Sequence, residues 1–210
     1  MTAARVTVCS HPLVQADLAV LRDKTTPPAQ FRAALSSAAA IIGIEALAGL
    51  RTKPASVQTP LKAASARLMD EPVVFAIVLR AGLGMLPGLL ELVPNALVGH
   101  IGLYRNEETL NPVRYYVRLP RDLDKSFVVV LDPMLATGGS AVEAIRILKT
   151  DGAARVTLVS LLSARAGIRR VQREHPDVPI FTAAIDATLN NHGYIVPGLG
   201  DAGDRLFGTF

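Results

Sequence analysis

The chain has 210 residues, of which 50% are hydrophobic, and its single cysteine, Cys9, excludes an internal disulfide and favours a reducing, cytoplasmic setting. The formal net charge is +4, but the Lys and Arg are scattered, and the densest group, "ARAGIRRVQRE", has the spacing of a solvated helix face, so we expect no nucleic-acid partner. Only 19% of residues are charged, and the longest apolar runs are strand-sized, so we expect a homo-oligomer (a dimer or higher) and no membrane span.

The first quarter of the chain is predicted to be helical. Residues 13–51 contain helix-forming sequence interrupted by the breaker "TTPPAQ", and "AALSSAAAIIGIEALAGL" is too rich in alanine to be a strand. We therefore expect residues 1–55 to form a helical lead-in within one domain that spans residues 1–210.

Strands and helices alternate through the middle of the chain. The apolar runs "PVVFAIVL", "NALVGHIGL", "FVVVL" and "ARVTLVSLL" predict buried strands. The segments "GMLPGLLELV", "GSAVEAIRILKTDG" and "ARAGIRRVQREHP" predict helices. Continuous apolar strands that alternate with helices indicate an α/β fold, with a parallel sheet covered by helices on both faces.

Two segments depart from this alternation. Residues 104–120 alternate polar and apolar residues around "NP", which predicts a protruding β-hairpin arm. Residues 187–210 include "HGYIVPGLGDAGDRLFGT", whose glycines are too frequent for a regular element. Its apolar and aromatic side chains favour an ordered loop over a floppy tail.

The segment "VVVLDPMLATGGS" is typical of an anion-binding turn. After a buried strand, the amides of a glycine-bearing turn and of the next helix point into one concavity, where the helix dipole favours an anion. Thr137 and Ser140 add hydroxyl donors, and Gly138 and Gly139 let the main chain approach closely. The alternative is an ordinary strand-to-helix turn with Ser140 as the helix cap. Neither the Walker pattern nor the dinucleotide-binding pattern is present.

Asp132 comes at the carboxyl end of the strand that precedes this turn. Ligands of open α/β sheets bind at that edge, so the carboxylate can accept hydrogen bonds from sugar hydroxyls while the turn holds a phosphate. That combination describes a ribose 5-phosphate. Arg80 and Arg105 also follow apolar strands, and their guanidinium groups suit a leaving pyrophosphate. Taken singly, either arginine is also compatible with a surface ion pair.

These motifs resemble those of the type I phosphoribosyltransferases, whose signature is an apolar strand, acidic residues and a "TG[GK][ST]" loop. Most of that superfamily have two adjacent acidic residues, whereas Asp132 is followed by Pro133 here, as in the uracil phosphoribosyltransferase family. The stretches "LRAGLGM", "YRNEETLNPV" and "HGYIVPGLGDAGDRLFGT" also resemble that family. With "HPLV" and "LRDKTT", the resemblance spans nearly the whole chain.

The resemblance implies a reaction in pyrimidine salvage. Uracil and 5-phospho-α-D-ribose 1-diphosphate (phosphoribosyl pyrophosphate) would give UMP and diphosphate, with Mg²⁺ as cofactor and no metal held by protein ligands alone. GTP activates some members of the family and is therefore a candidate effector, which the sequence does not decide. The implied contacts to phosphoribosyl pyrophosphate are Arg80, Arg105, Asp132, Pro133, Met134, Leu135, Ala136, Thr137, Gly138, Gly139, Ser140 and Asp201. The implied contacts to uracil are Ile195, Gly200, Asp201 and Ala202, and the implied catalytic residues are Asp132, Arg105 and Asp201.

The residues themselves support a uracil pocket in the carboxyl-terminal loop. Uracil offers an N–H donor between two carbonyl acceptors, and main-chain groups can complement that pattern where Gly198, Gly200 and Gly203 let the backbone approach. Ala136 stands where some purine enzymes carry an acidic residue, so we expect catalysis by leaving-group stabilisation and alignment. His192 is interpreted as a hydrogen-bonded structural residue.

Two other functions stay open at this point. A regulator with the same fold could bind RNA, but it requires a concentrated basic face. A transferase for another base would keep the phosphate-binding turn and change the carboxyl-terminal segment. Product analysis with each free base separates the two alternatives from uracil transfer.

Overall fold

The computed structural model describes residues 5–105 and 112–209, except for the side chain of Arg105. Its strands, in chain order, are Val6–Val8 (β1), Thr52–Gln58 (β2), Ala63–Met69 (β3), Val73–Leu79 (β4), Leu97–Arg105 (β5), Pro112–Arg118 (β6), Phe127–Leu131 (β7), Met134–Leu135 (β8), Arg155–Ala164 (β9), Ile180–Asp186 (β10), Thr188–Leu189 (β11) and Ile195–Val196 (β12). Its α-helices are Pro12–Arg22 (α1), Pro28–Leu47 (α2), Leu86–Leu92 (α3), Gly139–Thr150 (α4), Arg165–Glu174 (α5) and Ala202–Phe207 (α6). Two short 3₁₀ helices span Ala81–Gly84 and Leu123–Lys125.

The central sheet has the strand order β1-β10-β9-β7-β4-β5-β6, and β8 pairs with β9. Every neighbouring pair is parallel except β5 and β6, which are antiparallel. The predicted α/β fold with a mostly parallel sheet is therefore confirmed. Parallel strands place their carboxyl ends at one edge, so the residues that follow β4 and β7 lie close together there.

Alternate residues of the central strands pack into two apolar cores. Phe75 and Ile77 of β4 face the core formed with α1, α2 and α3, whereas Ala76 and Val78 face the core formed with α4 and α5. A strand that is buried on both faces has no polar alternation, which is why "VVFAIVL" is a continuous apolar run. Among the described helices, none combines the length and the hydropathy needed to cross a bilayer.

The predicted helices of the first quarter are confirmed, with a break around "TTPPAQ". Both α1 and α2 begin at a proline, Pro12 and Pro28, which suits the first helical position because no backbone donor is needed there. The His11 ring accepts a hydrogen bond from the Leu13 amide at 3.2 Å and so caps α1. The region 1–55 also contains β1, and β2 begins at Thr52.

An antiparallel hairpin formed by β2 and β3 was not predicted. Its strands pair from Thr52 opposite Met69 to Gln58 opposite Ala63, in a two-stranded sheet separate from the central one. Most of its residues are exposed on both faces, so the sequence lacks the alternation that indicates a half-buried strand. In the segment 104–120, β5 and β6 pair at the edge of the central sheet, and residues 106–111 of the expected arm lie outside the described residues.

The prediction that residues 187–210 hold no regular element was wrong. Helix α6 spans Ala202–Phe207, and β11 and β12 form a short antiparallel pair. The helix begins where the Asp201 side chain accepts a hydrogen bond from the Asp204 amide at 3.0 Å, and it ends at Gly208, whose φ is 70°. A capping carboxylate and a left-handed terminal glycine therefore define a helix that the glycine content obscured.

Candidate functional site

A cavity of about 750 Å³ opens at the carboxyl edge of the sheet, beyond β4 and β7. Its lining comes from three parts of the chain: Ala81, which lies just after β4, the segment after β7, and the loop that leads into α6. The lining residues are Ala81, Asp132, Met134, Ala136, Asn191, His192, Gly193, Tyr194, Ile195, Gly200, Asp201, Ala202 and Gly203. We call residues 132–140 the phosphate turn and residues 190–203 the base loop.

The phosphate turn ends in an uncapped helix terminus. Gly138 is the N-cap of α4 with φ 80°, and no side chain of the described residues caps the helix there. The alternative with Ser140 as the cap is therefore wrong, since Ser140 lies inside the first helical turn. A Cβ atom on Gly138 would lie 2.9 Å from the Gly167 carbonyl oxygen. Glycine is required by both the backbone angle and the space, and the amides at the start of α4 are available to an anion.

Asp132 lies at the floor of the cavity, where the surrounding protein excludes much of the water. Desolvation raises the pKa of this carboxyl group to about 6, and a hydrogen bond from the Met134 amide, at 3.3 Å, opposes the rise. A half-buried carboxylate with one backbone donor has acceptor capacity left for a ligand. Sugar hydroxyl groups are ligands of that kind.

The other residues of the turn differ in their relation to the cavity. Met134 and Ala136 line it, whereas Thr137, Gly138, Gly139 and Ser140 are not among its lining residues. Pro133 and Leu135 are buried, and the Pro133 carbonyl accepts the amides of two β9 residues at 2.9 and 3.1 Å. These two predicted contact residues therefore secure the turn to β9, while their neighbours face the cavity.

Arg80 lies at the rim of the cavity, directly after β4. Its guanidinium donates to the Asp204 carboxylate at 3.1 Å and lies 3.6 Å from the position of a Cβ atom built on Gly203. The same Asp204 oxygen accepts the Thr209 hydroxyl at 2.7 Å. The Asp204 carboxylate of α6 thus orients the Arg80 guanidinium, and the Arg80 side chain remains half-exposed. The backbone of Arg105 ends β5, and its side chain lies outside the described residues.

The base loop brings all four predicted uracil contacts to the cavity: Ile195, Gly200, Asp201 and Ala202. Ile195 and Ala202 are almost fully buried. Gly200 has φ 83°, a conformation that L side chains rarely adopt. The Asp201 carboxylate, which caps α6, lies at the same wall.

Sequence reasoning missed part of this wall. Asn191, His192, Gly193 and Tyr194 line the cavity just before Ile195. His192, interpreted from the sequence as a hydrogen-bonded structural residue, donates its backbone amide to the Asn190 side chain at 3.0 Å and also lines the cavity. Their position in the sequence could have indicated this role, because "NNHGY" directly precedes the predicted contact Ile195.

The donor set at the cavity suits a hard cation that arrives with a ligand. Within residues 5–105 and 112–209, no group of three or more His, Cys, Asp or Glu side chains is arranged to hold a metal ion. The cavity nevertheless offers two carboxylates, Asp132 and Asp201. Mg²⁺ is typically held by one or two carboxylates together with substrate phosphates and water, so these residues fit Mg²⁺ bound to a diphosphate.

Comparisons with known proteins agree along nearly the whole chain. Residues 8–209 match the family model described as "Uracil phosphoribosyltransferase". A uracil phosphoribosyltransferase of Dictyoglomus turgidum is 54% identical over 205 residues, which cover 97% of this chain and 99% of the relative. One from Streptococcus pyogenes serotype M5 is 51% identical over 203 residues, with 96% and 97% covered. The solved structure of the AQ2163 protein from Aquifex aeolicus superposes with a TM-score of 0.92 at 38% identity and covers 97% of this chain and 98% of that one.

Proposed function

The chain belongs to the uracil phosphoribosyltransferase family, and we propose that it transfers the phosphoribosyl group of phosphoribosyl pyrophosphate to N1 of uracil, forming UMP and diphosphate. One observation carries this proposal. A single cavity has Asp132, Met134 and Ala136 on one side, directly before the uncapped amino end of α4, and a glycine-rich backbone wall on the other. The first side suits a ribose 5-phosphate, and the second suits a flat base with a donor between two acceptors.

The phosphate turn holds the sugar phosphate in this proposal. The amides at the start of α4 bind the 5-phosphate, assisted by the hydroxyl groups of Thr137 and Ser140. Asp132 accepts hydrogen bonds from the ribose hydroxyl groups, and it does so best when it is ionised. Arg80 and Arg105 bind the pyrophosphate, whose charge grows as the bond to C1 of the ribose breaks.

The base loop holds uracil through its backbone. Ile195 and the segment 200–202 supply main-chain groups that complement the N3–H and the two carbonyl groups. Asp201 joins the two half-sites, because it borders the base and also contacts the sugar of the phosphoribosyl donor in this proposal. Its cap on α6 fixes the carboxylate in that position.

Catalysis follows from placement and charge. Diphosphate departs from C1 with its bonding electrons, the ribose becomes oxocarbenium-like, and N1 of uracil attacks from the opposite face while its proton is released. Mg²⁺, held by Asp132, Asp201 and the diphosphate, would neutralise part of the leaving charge when bound. The Ala136 side chain cannot act as a general base. Alignment of N1 with C1 and stabilisation of the leaving group therefore account for the rate enhancement.

Product analysis tests the proposal directly. The protein is mixed with Mg²⁺, phosphoribosyl pyrophosphate and one free base at a time, and nucleotides are separated by chromatography. UMP formed only with uracil supports the proposal, whereas a purine nucleotide as the main product would favour the transferase for another base. An RNA-binding regulator is not favoured, since such a function does not require the complete base loop.

Assembly and regulation extend the proposal. We propose a homo-oligomer, a dimer or higher, because the hairpin of β2 and β3 exposes Leu61, Leu68 and Met69 to solvent, at 94%, 50% and 53% of their full areas. Sedimentation measures the oligomeric state. The resemblance makes GTP a candidate effector, which initial rates with and without GTP test. A reducing, cytoplasmic setting is supported by the single, buried Cys9.

A further inference from the structure

A partly buried ion pair connects the end of the first helix to the end of a central strand. Arg22, the last residue of α1, donates to both carboxylate oxygens of Asp186, the last residue of β10, at 2.8 and 2.7 Å. The Arg22 side chain is 27% exposed and that of Asp186 is 8% exposed. A bidentate pair in this environment has a defined geometry, because the planar guanidinium fits the carboxylate in one orientation.

The same two side chains hold one residue of the base loop by both of its backbone polar groups. The Gly198 amide donates to Asp186 at 2.9 Å, and the Gly198 carbonyl accepts from Arg22 at 2.9 Å. Gly198 has φ 58°, and a Cβ atom there would lie 2.0 Å from the Ile195 carbonyl oxygen. The backbone is therefore fixed at a point where the chain turns tightly against itself.

The position of Gly198 makes this contact relevant to the ligand. It lies between Ile195 and the segment 200–202, the two parts of the base loop proposed to contact uracil. Neither Arg22 nor Asp186 lines the cavity. A second contact supports the same region, since the buried Arg205 donates to the carbonyls of Leu21 and Leu199.

We propose that Arg22 and Asp186 are positioning residues for the base, which act through Gly198 to keep the backbone groups of the base loop in register with uracil. This inference rests on the proposed function, because it takes uracil to be the occupant of the base loop. Main-chain recognition depends on the path of the backbone, and a displacement of about 1 Å is enough to lose most of its advantage. Loss of the contacts that hold Gly198 should therefore weaken uracil binding and leave phosphoribosyl pyrophosphate binding intact.

The chain contains a matched control at the opposite edge of the sheet. Arg155, at the start of β9, contacts both oxygens of Glu71 at 2.5 and 2.6 Å and donates to the Gly49 carbonyl at 2.8 Å. Its side chain is 30% exposed and that of Glu71 is 5% exposed. The chemistry and burial of the two pairs are closely similar, and only the first contacts the base loop.

Steady-state kinetics of Arg22→Lys and Arg155→Lys test the proposal, with urea unfolding of both variants. We expect both to lose stability, since each loses a bidentate contact to a buried carboxylate. Arg22→Lys should raise the KM for uracil by about tenfold or more, with the KM for phosphoribosyl pyrophosphate within about twofold of wild type. Arg155→Lys should leave both KM values unchanged.

A double apolar variant, Arg22→Met with Asp186→Leu, separates positioning from stability. It removes the pair without leaving an unpaired buried charge, so most of the stability should return. The raised KM for uracil should persist, because neither new side chain can hold Gly198. A stable double variant with a wild-type KM for uracil would overturn the proposal, and so would an equal rise in the Arg155→Lys control. Failure of the wild-type protein to form UMP would instead overturn the proposed function.

Discussion

The phosphate turn and the base loop hold their backbones in place by different means. The phosphate turn follows a buried strand directly, and its shape is set by Gly138 and by packing against β9 and α5, the two elements that follow α4 in the chain. The base loop is fixed from a distance, because its Gly198 is held by Arg22, which lies 176 residues earlier in the chain. Contacts with the next strand and helix therefore shape the first half-site, whereas contacts between distant parts of the chain shape the second.

This difference has a functional counterpart. A phosphate is a compact anion that any correctly turned glycine-bearing helix terminus can accept. A base must be distinguished from other flat rings, which requires several backbone groups at fixed positions. We therefore expect the two half-sites to respond differently to changes in ligand, backbone and pH.

Cytosine challenges the base loop most severely. It replaces the O4 acceptor of uracil with an amino donor and the N3–H donor with a lone pair, so a pocket fitted to uracil meets two mismatches. Each buried mismatch costs about 1 to 3 kcal/mol, which together predict discrimination on the order of a thousandfold in kcat/KM. 5-Fluorouracil keeps the hydrogen-bonding edge and should be accepted. Equal rates with cytosine and uracil in competition assays would assign base selection to another part of the molecule.

Gly138→Ala should disable the phosphate turn. The new methyl group would meet the Gly167 carbonyl at 2.9 Å in a backbone conformation with positive φ, so the turn must move. We expect kcat/KM for phosphoribosyl pyrophosphate to fall by about a hundredfold or more. Gly152→Ala is the control, because Gly152 also has positive φ but nothing lies within 4 Å of its Cβ position. Both variants should lose stability by about 1 kcal/mol or more, and only the first should lose activity.

The pH profile should distinguish the half-sites. Desolvation raises the pKa of Asp132 to about 6, so the ionised form that binds ribose hydroxyls disappears below that pH. We expect kcat/KM for phosphoribosyl pyrophosphate to fall about tenfold between pH 7 and pH 5. The Asp132→Asn variant should be much less active and should lack this inflection, whereas the exposed control Asp124→Asn should retain it. An identical profile in Asp132→Asn and wild type would assign the titration to another group.

Stability without substrate should show the opposite trend. Because the folded-state pKa of Asp132 lies above the unfolded value of about 4, folding favours its protonated form. The stabilisation of the folded state that comes from this difference in pKa is fully present below about pH 4 and is lost as the pH rises through about 6. Relative to wild type, Asp132→Asn should therefore gain about 1 to 3 kcal/mol above pH 6. Urea unfolding at pH 4 and pH 8 measures the difference, and a constant difference between the two proteins would contradict it.

Gly200→Ala should have the smallest effect. Its φ is 83°, but the nearest atom to a Cβ there is the Arg205 side chain at 3.9 Å, so the change introduces strain without a clash. About 1 kcal/mol of strain predicts a rise of a few fold in the KM for uracil and no change in the KM for phosphoribosyl pyrophosphate. A larger effect than that of Gly138→Ala would reverse the ranking of the two half-sites.

The sequence predicted the parts of the molecule that are determined locally. The strand "FVVVL", the turn after it and helix α4 were all anticipated, because burial on both faces and a glycine pair leave a direct signal. Strand β10 was not assigned from the sequence. It carries Asp186, whose importance appears only when Arg22 and Gly198 are seen beside it. No spacing rule connects residues so far apart in the chain.

Exposed and capped elements were missed for other reasons. The hairpin of β2 and β3 has no buried face of its own, so its residues show no period of two. Helix α6 is short and begins beside three glycines, and only the contact between Asp201 and the Asp204 amide marks its start. A carboxylate three residues before another polar residue is a recognisable N-cap pattern, and it was the available signal.

The contacts between α1 and the carboxyl-terminal segment also determine when the site can be completed during synthesis. The contact between Arg22 and Gly198 can form only after Gly198 has been synthesised. The contact between Leu21 and Arg205 likewise requires Arg205, which is 184 residues away. A ribosome releases the chain from its amino end, so β4, β7 and the phosphate turn emerge well before the base loop. Contacts of such long sequence separation form late and slowly compared with local ones. The nascent chain therefore acquires its anion-binding half first, and base recognition is established only after Gly198 and Arg205 have emerged.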